Sequence, residues 1–172
     1  MKILVLNGSP RPNGNTVAMI AAFSEGAAEA GHEVTVFNIC QKKIAGCLGC
    51  GYCRGKGNGT CIQKDDMQEV YGLLAAADMI VFATPVYYFA YSAQLQAAVN
   101  RFYALGHLAE PKKAALLLSS GSPDVYEGAI YAYRKTCEFV RLTDMGICTA
   151  YGPENKSEAK LAEVRALGRS LA

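Results

Sequence analysis

Acidic residues are missing from one long stretch of this chain. Between residues 34 and 64 there is no Asp or Glu, yet Lys42, Lys43, Arg54, Lys56 and Lys64 all fall there. The rest of the chain balances that excess. The formal net charge is only +2, too small to point to nucleic acid or an anionic membrane as a partner. Long apolar runs are missing too. The longest, around residues 73–91, is broken by Asp78, Thr84 and Pro85, so no membrane span is expected. The opening MKILVLNGSP does not read as a secretory leader, because its apolar run ends after five residues at Asn7 and Gly8. A cytoplasmic protein is the expectation. Histidine is scarce: His32 and His107 each follow a glycine at the edge of an element, where surface positions are expected. No nucleophile, base and orienting group form a visible trio, which leaves hydrolase chemistry without support. No repeat or low-complexity tract stands out. With 51% hydrophobic and 19% charged residues, the composition is that of one globular domain over residues 1–172.

What is present alternates. Buried-type apolar runs at 2–6, 79–84, 114–119 and 145–151, and a β-branched run at 33–39, read as five strands. Helical spacing follows each of them, at 16–30, 65–77, 92–105, 124–139 and 154–171. Asp65 or Asp66 is expected to cap the second helix in a capping box with Gln68 or Glu69, and Ser92 to cap the third. Residues 40–64 carry no convincing element and form a cysteine-rich insertion loop. Five alternations predict an α/β fold, a parallel sheet with helices on both faces. Ligands of such sheets bind outside the carboxyl ends of the strands.

The loop after the first strand, NGSPRPNGNT, lacks the dinucleotide fingerprint G-x-G-x-x-G but leads straight into a helix. The free N–H groups of a helix start suit a phosphate. Ser9, Arg11, Asn15 and Thr16 add hydroxyls, an amide and a guanidinium fork. The loop after the third strand, TPVYYFAYS, places Tyr87, Tyr88 and Phe89 where the sheet meets solvent, as a platform for a flat ring or a subunit interface. SSGSPD at 119–124 is small enough to approach a ring edge.

NGSPRPNGNT, TPVYYFAYSAQLQAAVNRF and a cysteine run followed by IQKDDM resemble the flavodoxin-like NAD(P)H-dependent FMN reductases, and within them the iron-sulfur flavoproteins. The resemblance covers nearly the whole chain. It implies a five-stranded sheet in the order 2-1-3-4-5, FMN at the strand ends, and homodimers or homotetramers. Ser9, Arg11, Asn15 and Thr16 would then hold the phosphate. Pro85, Val86, Tyr87, Tyr88 and Phe89 would line the isoalloxazine ring, and Ser120 with Gly121 would lie at its edge.

The cysteine run is CLGCGYCRGKGNGTC, residues 47–61, spaced C-x2-C-x2-C-x7-C. In the iron-sulfur flavoproteins a compact cysteine motif binds one 4Fe-4S cluster, and Cys47, Cys50, Cys53 and Cys61 match it. Such a turn can present three thiolates to three cluster corners, with a later cysteine as the fourth, and six glycines between 46 and 59 let the backbone wrap closely. Two alternatives stand beside it: bare thiols, and a zinc site, which fits less well because only one knuckle is present. Cys40, Cys137 and Cys148 are expected to be buried thiols. The reading is an FMN-dependent oxidoreductase passing electrons between NAD(P)H or an acidic carrier such as ferredoxin and an acceptor. The basic stretch would steer such a carrier. The rivals are an NAD(P)H-dependent FMN or quinone reductase without a cluster, and a non-enzymatic docking module.

Overall fold

The computed structural model describes residues 1–106 and 112–171. His107 lies outside the described residues. Five strands, β1 (Lys2–Asn7), β2 (Glu33–Asn38), β3 (Met79–Pro85), β4 (Lys112–Ser120) and β5 (Leu142–Tyr151), form one sheet. They pair in the order β2-β1-β3-β4-β5, every pair parallel. This is the flavodoxin-like order.

Alternation along each strand sorts two cores. Leu4, Leu6, Ile80, Phe82, Leu116 and Leu118 face α2 (Met67–Ala76), α3 (Ala93–Asn100) and α4 (Glu127–Val140). Ile3, Val5, Met79, Val81 and Leu117 face α1 (Asn15–Glu29) and α5 (Glu158–Arg169). The expected β2 forms at the sheet edge, and Thr35 and Val36 stay exposed. α1 and α5 cross in backbone contact. A Cβ added at Gly26 would overlap the carbonyl of Arg165, and one at Gly168 the carbonyl of Phe23. Among the described residues no helix is long and apolar enough to cross a membrane.

Several boundaries differ from expectation, for local reasons. The third helix, capped by Ser92 Oγ accepting from Leu95 N–H, stops at Asn100 and tightens into a 3₁₀ turn over Arg101–Ala104. The last begins at Glu158, because a 3₁₀ turn over Gly152–Lys156 precedes it and Ser157 caps it. The capping box before α2 does not form. Asp66 is itself helical and its carboxylate accepts from Lys43 N–H. Gln68 reaches the Gln63 carbonyl and Glu69 pairs with Lys42. His32 is half-buried, not a free surface group: its Nδ1 lies 3.2 Å from the chain's amino group and its Nε2 3.0 Å from the Leu171 carbonyl.

Candidate functional site

The loop after β1 is shaped by Asn7, which is 5% exposed. Its Nδ2 donates to Asn38 Oδ1 at 2.8 Å, and its Oδ1 accepts from Ser9 N–H at 2.9 Å. The chain then enters α1 at Gly14, and no side chain caps that end. Among the described residues the first-turn N–H groups therefore have no intrahelical or side-chain cap partner, and they point with the positive end of the helix dipole. They open on a cavity of about 190 Å³ at the carboxyl ends of β1, β3 and β4. Ser9, Arg11, Asn15 and Thr16 line it on one side, Pro85, Val86 and Tyr87 on another, and Ser120 with Gly121 on a third. Among the described residues, no acidic side chain lines it.

A second hollow of about 260 Å³ continues from it past Val86, Ser120 and Gly121 to Tyr88 and Phe89. Together they reach the size of small-molecule pockets. The aromatic wall is strained. Tyr87 and Ala90 exchange two backbone hydrogen bonds, and between them Tyr88 (φ +48°) and Phe89 (φ +65°) both sit in the left-handed region. That conformation costs about 1–2 kcal/mol for each ordinary residue. The first turn of α4 braces the bend. A Cβ at Gly128 would lie 2.5 Å from the Phe89 carbonyl oxygen, so only glycine permits the contact. Backbone strain held in place this way clusters at functional sites.

The polar groups divide into committed and uncommitted. Thr16 and Ser119 hydroxyls bond each other at 2.7 Å across the cavity floor. The Ser120 hydroxyl donates to the Ser122 carbonyl at 2.7 Å and meets the Tyr126 hydroxyl at 2.6 Å. Its donor is thus spent within its own loop, and burial raises the Tyr126 phenol above its usual range. The sequence reading missed Asn155, which is 2% exposed. Its Nδ2 donates to the carbonyls of Ser120 (2.8 Å) and Gly152 (3.0 Å), which fixes which way the amide faces. The residue lines the cavity, and its buried Oδ1 has no hydrogen-bond partner among the described residues. A buried acceptor beside a cavity is a place for a donor from a ligand or a water.

The thiol loop lies between β2 and α2. Cys47 and Cys50 are exposed. Cys53 and Cys61 are buried, packed with Ala104 and Tyr71 in a small cluster of their own. Burial pushes the Tyr71 phenol up to about 12. Its hydroxyl donates to the Arg101 carbonyl at 3.0 Å. Among the described residues, no three Cys, His, Asp or Glu side chains come together as a metal site. The expected convergence of Cys47, Cys50, Cys53 and Cys61 is therefore not seen. Two sulfurs turn inward against Tyr71 and Ala104, and two stay on the open arm.

The model of the NADPH-dependent FMN reductase family matches residues 1–156. The chain belongs to this family. It is a family of flavin-dependent oxidoreductases, and the cavity suits their cofactor. Unpaired N–H groups and Arg11 fit a phosphate, the aromatic turn fits a flat ring, and Asn155 Oδ1 fits a donor on the ligand.

An iron-sulfur flavoprotein of Archaeoglobus fulgidus is 39% identical over 107 residues, 62% of this chain and 48% of that one. The iron-sulfur flavoprotein of Methanosarcina thermophila is 42% identical over 101 residues, 59% and 52%. The chain spans about half the length of these curated relatives. In three dimensions it resembles an azoreductase from Bacillus anthracis, with a TM-score of 0.79 at 19% identity over 99% of this chain and all of the other. That likeness is one of fold.

Two further expectations about this FMN reductase family member change. Cys137 and Cys148 are core thiols pushed up to about 11 by burial. Cys40 is only half-buried, its sulfur donating to the Gly8 carbonyl at 3.3 Å. The basic stretch is also less free than its charge suggests. Lys42 pairs with Glu69 at 2.7 Å and sits over the Phe37 ring, and Arg54 stacks on Tyr103.

Proposed function

We propose that the chain is a redox flavoprotein that holds FMN without a covalent bond. The uncapped start of α1, opening into a cavity walled by the left-handed aromatic turn, carries this reading. Bound FMN would supply two-electron and one-electron transfer, and the protein would bind, orient and shield it. Backbone N–H groups of the first turn, with Ser9, Asn15, Thr16 and Arg11, would hold the phosphate. Val86, Tyr87, Tyr88 and Phe89 would cover the ring, with Gly121 and the backbone of Ser120 at its edge. NAD(P)H is the proposed donor, with an acidic carrier of the ferredoxin kind as a second.

The finer reading is a 4Fe-4S cluster on Cys47, Cys50, Cys53 and Cys61. The resemblance to the iron-sulfur flavoproteins and the chemistry of four thiolates support it. Cluster binding would require the outer arm to fold onto the inner pair. The dispersal of the four sulfurs favours the rival, an FMN or quinone reductase without a cluster. Protein purified anaerobically and reconstituted with iron and sulfide is expected to hold one FMN and four irons per chain. Changing any one of the four cysteines to Ala should lower the iron and leave FMN in place. Full FMN with iron well below four would establish the rival reading, and a chain without FMN would overturn both.

The loop over residues 84–92 is proposed to be covered by a second copy of the chain, as a dimer or tetramer. Tyr88 is 97% exposed and Phe89 60%, more apolar surface at one point than a monomer usually shows. Light scattering at micromolar concentration should give a multimer, and a monomer there would remove this partner.

A further inference from the structure

The thiol loop hangs from a narrow neck, and one charged pair holds the neck shut. Arg101 follows α3 and is 1% exposed. Its Nη1 donates to the Ala45 carbonyl at 3.0 Å and to Asp65 Oδ2 at 2.8 Å, and its Nη2 donates to Asp65 Oδ1 at 3.1 Å. Asp65 accepts in turn from the N–H of Ala45 at 3.0 Å and of Met67 at 3.2 Å. Beside them Asp66 takes the Lys43 N–H and gives its own N–H to the Lys43 carbonyl, and Gln63 reaches the Gly46 carbonyl. Lys43, Ala45 and Gly46 are thus bound to Asp66, Asp65 and Gln63 across the neck, and the four cysteines all lie between these two sides.

We propose that the Arg101–Asp65 fork is a positioning device for the thiol loop. A buried ion pair rarely stabilises a fold more than apolar residues of the same size would. What this pair adds is geometric. Among the described residues, the side-chain bonds of Arg101 end on the two sides of the neck, and its carbonyl accepts from Tyr71, the ring against which Cys53 and Cys61 pack. The fork therefore fixes two of the four sulfurs relative to the sheet and leaves Cys47 and Cys50 to move. It stands on the loop's own geometry and does not rest on the iron-sulfur reading.

The cysteines themselves report the result. In FMN-loaded protein freed of metal by an anaerobic chelator, iodoacetamide alkylation is followed residue by residue by mass spectrometry. Cys47 and Cys50 serve as the exposed reference, and Cys137 and Cys148 as the core reference. In Asp65→Asn, the rates at Cys53 and Cys61 should rise at least tenfold while the core pair stays protected. Arg101→Lys keeps the charge and loses the fork, and it should behave in the same way. Unchanged rates at Cys53 and Cys61, or a rise only in step with Cys137 and Cys148, would overturn the proposal. Should neither variant fold, hydrogen exchange on the wild type decides. The Lys43 and Ala45 amides should exchange as slowly as sheet amides, and exchange as fast as that of Leu48 would remove the fork from this role.

Discussion

Asn155→Asp is expected to weaken FMN binding at pH 8 by at least about a hundredfold, roughly 2.7 kcal/mol. The substitution changes one atom, but that atom carries both donated hydrogen bonds. A carboxylate there would face the carbonyls of Ser120 and Gly152 with no proton to give, buried at the edge of a cavity built for an anion. Desolvation and like-signed neighbours both favour the neutral acid, so the introduced group should titrate well above the usual value of about 3.9. The sign follows. Below about pH 4 the acid is protonated, folded or not, and the ionisation penalty vanishes. As pH rises from there through the raised value, the penalty grows, and above it the penalty is complete. FMN affinity and thermal stability of the variant should therefore both recover on acidification, where the wild type shows no such recovery. Fluorescence titration of FMN at pH 5 and pH 8 measures this. Wild-type affinity at pH 8 would mean that Asn155 does not face the ligand.

Gly26→Ala should lower the melting temperature by about 5–10 °C. Two effects oppose each other here. Alanine is the better helix former by about 1 kcal/mol, which on its own would stabilise α1. The new methyl, however, would land on the backbone of α5, against the Arg165 carbonyl and 3.1 Å from Arg169 N. Backbone cannot swing aside as a side chain can, so the helices must part. Overpacking costs about 1–3 kcal/mol, occasionally more, and a rigid obstacle belongs at the upper end. The contact outweighs the propensity, for a net loss of about 2–3 kcal/mol, at about 2–4 °C for each in a chain of this size. Gly168→Ala should do the same, and the double variant should lose less than the sum, since one crossing is opened only once. A melting temperature at or above that of the wild type would show that α1 and α5 do not meet there.

The sheet was legible because its central strands are almost wholly apolar and each is followed by helical spacing. The loop before α1 was legible as a loop leading into a helix because its polar residues run directly into a helix start. Asn155 was not, although the rule that ligands gather at strand carboxyl ends applies to β5 as it does to β1. Its role depends on which face of a 3₁₀ turn meets the Ser120 carbonyl, and no periodicity encodes that. Asp65 and Asp66 read as a helix cap because caps are local. Here both carboxylates also serve partners about 20 or more residues away, beside the local bond from Met67 N–H to Asp65, and one of those partners is an arginine buried in what reads as an ordinary amphipathic helix. The spacing of the four cysteines was plain. Their separation into an inner and an outer pair was not, since it depends on Tyr71 and Ala104 beneath them.

The closed neck also bears on how such a loop changes over generations. Its two sides meet before the first cysteine and after the last, so the segment between them begins and ends at one point of the fold. Doubling the length of a segment closed in this way costs only about 0.6 kcal/mol of chain entropy. Insertions, deletions or the loss of a cysteine within it would leave the register of β1, β2 and β3 untouched. The sheet can thus be inherited unchanged while the appendage lengthens, shortens or loses a thiol, as a cassette whose contents are free and whose fastening is fixed.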